Sequence, residues 1–85
     1  MTTAEIREID SQCLNDYLDT LSPSTRRYFI TSVVEKCGIG IKKKTFYNWK
    51  AGYCCIPDFC KNIIESLAGV TVFPKELYYS EKDDN

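Results

Sequence analysis

Histidine is absent from the 85-residue chain, and with it the side chain that most often serves as a general base near neutral pH or as a nitrogen ligand to zinc. The five cysteines, Cys13, Cys37, Cys54, Cys55 and Cys60, contain no Cys-x-x-Cys pair, which points away from structural zinc and from a disulfide framework. Adjacent Cys54 and Cys55 would close only a strained ring and read as small apolar filler. No Gly-rich phosphate loop, no nucleophile with a partner base and no carboxylate pair stands out, so the sequence predicts no catalytic residue, cofactor, metal or small-molecule substrate. There is also no run of about 18 apolar residues, the length a membrane helix needs. Glu5 and Glu8 interrupt the start, unlike a signal peptide. The expectation is a soluble cytoplasmic protein without a membrane partner.

What is present is an ordinary globular composition, 44% hydrophobic and 27% charged, which argues against disorder. Eighty-five residues make a single domain with a modest core. The net charge of −1 does not suggest a polyanion as partner, but its distribution does. From Arg26 to Lys61 stand eight basic residues, Arg26, Arg27, Lys36, Lys42, Lys43, Lys44, Lys50 and Lys61, against the two acids Glu35 and Asp58, a local balance of +6. The acids gather at the two ends.

No internal repeat or linker divides the chain; proline and glycine punctuate it into helices. Between Ala4 and Leu21, Ile6, Ile9, Cys13, Leu14, Tyr17, Leu18 and Leu21 recur at helical steps and predict a first helix. Glu5, Glu8, Asp10, Asp16 and Asp19 read as its solvated outer side. Ser22 before Pro23 signals a second helix start. That helix runs to about Cys37 with Phe29, Ile30, Val33, Val34 and Cys37 inward, and Gly38 suits a left-handed end. Lys42 to Ala51 forms a third helix with Phe46 and Trp49 three apart and Gly52 beyond it. Pro57 and Asp58 open a fourth, with Phe59, Cys60, Ile63, Ile64, Leu67 and Ala68 as its apolar members and Gly69 as its stop. Val70 to Phe73 reads as a brief extended piece, Lys75 to Tyr79 as a last helical turn, and Ser80 to Asn85 as a flexible tail. The predicted fold is all-α, a compact bundle of four to five short helices over residues 1–79.

Two helices joined by a glycine-containing turn, the second polar on one side and aromatic on the other, make a helix-turn-helix. Burial of Phe46 and Trp49 would turn Lys43, Lys44, Tyr47, Asn48 and also Lys50 outward. Ammonium groups there suit phosphates or guanine acceptors, and the Asn48 amide can pair with adenine N6 and N7. Thr45 can meet a phosphate or a thymine methyl, and Lys42 and Lys43 would hold the backbone while helix N–H groups add positive potential. Tyr47 either contacts phosphate or covers the edge of the core. Arg26 and Arg27 either reach the DNA backbone from the second helix or sit in solvent. Double-stranded DNA is thus the expected partner.

The segments TFYNWKAG and IPDFCKNIIESLAGVTVFPKEL resemble the phage repressor and Cro family (lambda repressor-like) of helix-turn-helix regulators, especially small bacterial members with a Trp-x-x-Gly ending to the recognition helix. The similarity covers about Arg26 to Tyr79. It implies a transcriptional regulator with Phe46 and Trp49 in the core and Lys43, Lys44, Tyr47 and Asn48 facing DNA. Two features depart from the pattern: the turn GIGIK is longer than usual, and the segment before Ser22 exceeds what a first helix requires. A homodimer on a two-fold site is expected for a module this small, with the first helix as its contact or as a completion of the core. The competing expectation is a protein-interaction module that docks a partner on the acidic first helix and keeps its lysines for solubility.

Overall fold

Thr2 and Glu5 hold each other's backbone N–H groups, at 3.2 Å to Thr2 Oγ1 and 2.7 Å to Glu5 Oε1. This reciprocal cap starts helix α1, Thr3–Leu18, and the same contacts hold the Glu5 carboxyl below the usual carboxylate range. The computed structural model describes residues 2–78. Among them lie three further helices, α2 (Pro23–Cys37), α3 (Lys43–Ala51) and α4 (Asp58–Ala68), then a 3-10 turn at Lys75–Leu77 and no strand. The chain is an all-α bundle, as its periodicity predicts. Met1, Tyr79 and the predicted tail 80–85 lie outside the described residues.

Helix α1 stops at Leu18, three residues before its apolar stripe ends. Pro23 disfavours helical backbone at the residue before it, and the intervening residues close into tight turns, Thr20 N–H to Tyr17 O and Leu21 N–H to Leu18 O. Arg26 seals this corner. Its Nε donates to Leu18 O at 3.0 Å and its Nη2 to Leu21 O at 3.1 Å, satisfying carbonyls that a helix end leaves without partners. Ser22 caps α2 through the Thr25 N–H as its position predicts.

The core is built from Leu14 and Leu18 of α1, Phe29, Ile30 and Val33 of α2, Phe46 and Trp49 of α3, Cys60 and Ile64 of α4, and Ile56, Val72 and Phe73 from the connections. Full burial of a side chain such as Phe46 contributes roughly 1.5–3 kcal/mol. Helix α1 packs on α3 and α2 on α4, with a lighter contact between α2 and α3. Several apolar residues sit farther out than their periodicity suggests: Ile6, Ile9, Tyr17, Leu21, Val34, Cys37, Ile63 and Ala68 are half-buried, and Phe59 and Leu67 are exposed. In α4 the buried stripe is centred on Cys60 and Ile64, leaving Phe59 on its flank.

Asp10 is the largest departure from expectation. Instead of facing solvent it is completely buried. Its carboxylate accepts the Ile56 N–H at 2.8 Å and the Tyr78 hydroxyl at 2.5 Å, and pairs with Lys61 Nζ at 2.9 Å. The ammonium also lies 4.3 Å from the centre of the Tyr78 ring, a favourable cation–π position. Three partners from three segments replace the water that the charge gives up. They tie α1 to α4, to the loop before α4 and to the C-terminal turn.

The stretch predicted to be extended, Val70 to Phe73, forms no strand. Glu65 Oε2 accepts both the Val72 and Phe73 N–H groups, at 3.0 and 2.9 Å, so a side chain supplies what a neighbouring strand would. Burial raises the Cys13 thiol above its ordinary value, pushes Cys60 up to about 12 with contact from Cys37 adding to it, and raises the Tyr78 hydroxyl, helped by its bond to Asp10. All five cysteines are free thiols, and Cys54, read as filler, is exposed.

Candidate nucleic-acid interface

Helix α3 owes its orientation to two rings. Phe46 and Trp49 are essentially inaccessible, with centroids 5.7 Å apart. At 100° per residue their burial points the far side of the helix, around Lys44, Tyr47, Asn48 and Ala51, away from the core. Lys42, Lys43, Lys44 and Tyr47 are exposed, while Thr45, Asn48 and Lys50 are half-buried.

The far end of α3 is anchored by α1. Ser11 Oγ and Asn15 Nδ2 both donate to Lys50 O, at 2.6 and 3.0 Å, supplying an end carbonyl with two partners. Gly52 then takes the left-handed conformation, φ 82° and ψ 18°, with its N–H on Trp49 O while the Tyr53 N–H reaches Asn48 O. This is the cap that glycine provides most cheaply. The segment before Ser22, longer than the resemblance requires, thus completes the core and clamps the back of α3. Of its apolar stripe, Cys13, Leu14 and Leu18 are buried and Ile6, Ile9 and Tyr17 are half-buried.

The electrostatics at the front of α3 run against helix stability. Lys42 is the N-cap residue, Lys43 and Lys44 follow, and the first turn holds no acid. Positive side chains there meet the positive end of the helix dipole. Thr45 offers partial relief by accepting the Lys42 N–H at 3.4 Å. From Lys36 to Pro57 the sequence contains no aspartate or glutamate. The salt bridge found among the described residues, Lys61 to Asp10, lies elsewhere, so Lys42, Lys43, Lys44 and Lys50 keep their charge unpaired.

The remaining candidates divide. The Asn48 amide makes no hydrogen bond to another described residue and has its donors and acceptor available. The Tyr47 and Phe46 rings meet at a near right angle with centroids 6.4 Å apart, and Lys50 Nζ sits 5.6 Å from the centre of the Tyr47 ring, which is about half exposed. Arg27 is exposed. Arg26 is half-buried, and its guanidinium is held at the α1–α2 corner by the Leu18 and Leu21 carbonyls. Lys61, counted among the basic residues of the middle third, is held in the core by Asp10.

Three neighbours were not legible as part of this surface. Tyr53, just past the α3 cap, is 72% exposed. Ser11 and Asn15 act from behind, and two polar side chains at an i, i+4 spacing along the edge of an apolar stripe are the signal that could have found them. No protein-family model matches the chain, and no curated protein or solved structure matches it either.

Proposed function

We propose that this protein binds double-stranded DNA through α3, as a transcriptional regulator of the kind the repressor and Cro resemblance implies. One observation carries the reading: four unpaired lysines and an amide without a partner share a helix whose first turn contains no acid. A polyanion at that end would offset both the mutual repulsion of the lysines and their conflict with the helix dipole. Lys42, Lys43 and Lys44 hold phosphates, Asn48 reads a base edge, Thr45 and Tyr47 add contacts at either side, and Lys50 and Arg27 flank them. A second copy on a two-fold site belongs to this reading.

Binding to duplex DNA over a salt series tests this. Each phosphate neutralised lowers log K by about 0.9 per tenfold rise in salt, so several contacts give a steep line. Absence of binding at low salt removes the reading. The interaction-module alternative predicts that result, together with capture of a protein partner by the acidic face of α1.

A further inference from the structure

The turn between α2 and α3 carries an apolar side chain that nothing in the protein uses. Ile39 is fully exposed, at 106%. The turn around it is ordered by a 3.2 Å bond from the Ile41 N–H to Gly38 O. Ile39 occupies the second position, and Gly40, at φ 96°, supplies the positive φ that a type II turn requires at the third. Gly38, at φ 88° and ψ −158°, adopts a backbone region nearly reserved for glycine and lies outside the left-handed helical region its position suggests. Ile41, two residues on, turns back and packs against the core. The extra length of this turn therefore projects one isoleucine into solvent while its neighbour anchors the loop.

We infer that Ile39 is a non-ionic contact to duplex DNA, packing against the deoxyribose backbone beside the phosphates held by Lys42, Lys43 and Lys44. The inference rests on the DNA-binding reading above and deepens it. Ile39 lies three residues before the α3 N-cap, and three residues of fully extended chain span at most about 11 Å. A duplex about 20 Å across that meets the first turn of α3 is within its reach. Charge favours the partner: Lys36 and Lys42 to Lys44 stand on the two sides of Ile39, against the one nearby acid, Glu35, at the end of α2. The sugar edges between phosphates offer the apolar surface that an isoleucine needs to leave water. An anionic bilayer also combines charge with apolar surface, but it has no use for the Asn48 amide and Thr45 hydroxyl presented beside the lysines.

The test compares the parent with Ile39→Ser, Ile39→Leu and Lys43→Ala on a mixed-sequence duplex of about two helical turns, by fluorescence anisotropy across a salt series. Because Ile39 touches no core residue, its variants keep the parent's fold, which circular dichroism checks. Ile39→Ser is expected to bind about five- to tenfold more weakly at every salt concentration with an unchanged slope, from loss of partial apolar burial. Ile39→Leu should stay near the parent. Lys43→Ala should instead flatten the slope by about 0.9. Parent-like binding by Ile39→Ser, with the parent itself bound, overturns the inference and leaves the DNA reading standing. A parent that ignores the duplex overturns both, and if it binds phosphatidylglycerol–phosphatidylcholine vesicles the turn is a membrane contact instead.

Discussion

Lys61 and the lysines at the start of α3 carry the same charge in opposite settings. Lys61 is mostly buried, 2.9 Å from a fully buried carboxylate, and its ammonium works on the fold. Lys42, Lys43 and Lys44 stand in water at a helix end that repels them. The contrast teaches that a count of basic residues measures neither the charge a partner can reach nor the charge the fold needs. The first pair would be costly to break; on the proposed DNA-binding reading, loss of the second group would cost binding and not stability.

The sharpest way to break the comparison is at Asp10. Removing one partner of a buried pair leaves an uncompensated charge, so Asp10→Ala should lose about 3–5 kcal/mol in urea unfolding. A loss near that of a surface change, below about 0.5 kcal/mol, would show that the buried network is not holding the helices together. At α3 the prediction inverts. Asn48→Ala should leave stability nearly unchanged but lose about 1–3 kcal/mol of discrimination between adenine and other bases at one site position, read from binding to single-base variants of a selected duplex.

The pH profile probes the core side of the contrast. The Cys60 thiol is pushed up to about 12 in the folded protein from an ordinary value of 9.0. Its contribution is complete below about pH 9; above that the unfolded chain releases the proton that the folded chain keeps, and stability falls up to about pH 12. The Tyr78 hydroxyl, also raised, adds to this decline above its ordinary value of about 10. Urea midpoints should therefore be flat toward pH 8 and drop through the alkaline range, less steeply in Tyr78→Phe. An equally steep decline in that variant would take Tyr78 out of the account.

The smallest effect concerns the conflict at the α3 N-terminus. Lys44→Glu places a negative charge where the dipole favours one and should raise stability by roughly 0.3–1 kcal/mol, seen as a higher Tm, while duplex binding falls severely. A variant that lost stability would show that Lys44 serves the fold after all.

Much of the fold was legible because helices announce themselves locally. Ser22 and Gly52 cap where their chemistry suggests, and Phe46 and Trp49 follow helical spacing into the core. Asp10 was misread because a carboxylate is usually solvated, although it lies three and four residues before the buried Cys13 and Leu14, where an apolar residue would belong. Phe59 erred the other way: hydrophobicity indicates a preference for burial but not whether a neighbouring helix arrives to cover it. Arg26 reads either as a contact to the DNA backbone or as a solvated charge, because nothing in its local sequence reveals that the carbonyls of Leu18 and Leu21 converge on it. Of the candidate surface, the ridge of α3 was visible in outline, while its clamp from Ser11 and Asn15 and the display of Ile39 were not.

By itself, then, the sequence determined how many helices form, most of their ends and which side of α3 turns inward, because caps and the 3.6-residue period act within a few residues of each other. Only the tertiary structure decided which charges are engaged and which stand free, since Asp10 meets Ile56, Lys61 and Tyr78 across separations of 46 or more residues. Whether a charge is neutralised depends on distance in space, and the chain closes those distances only when it folds.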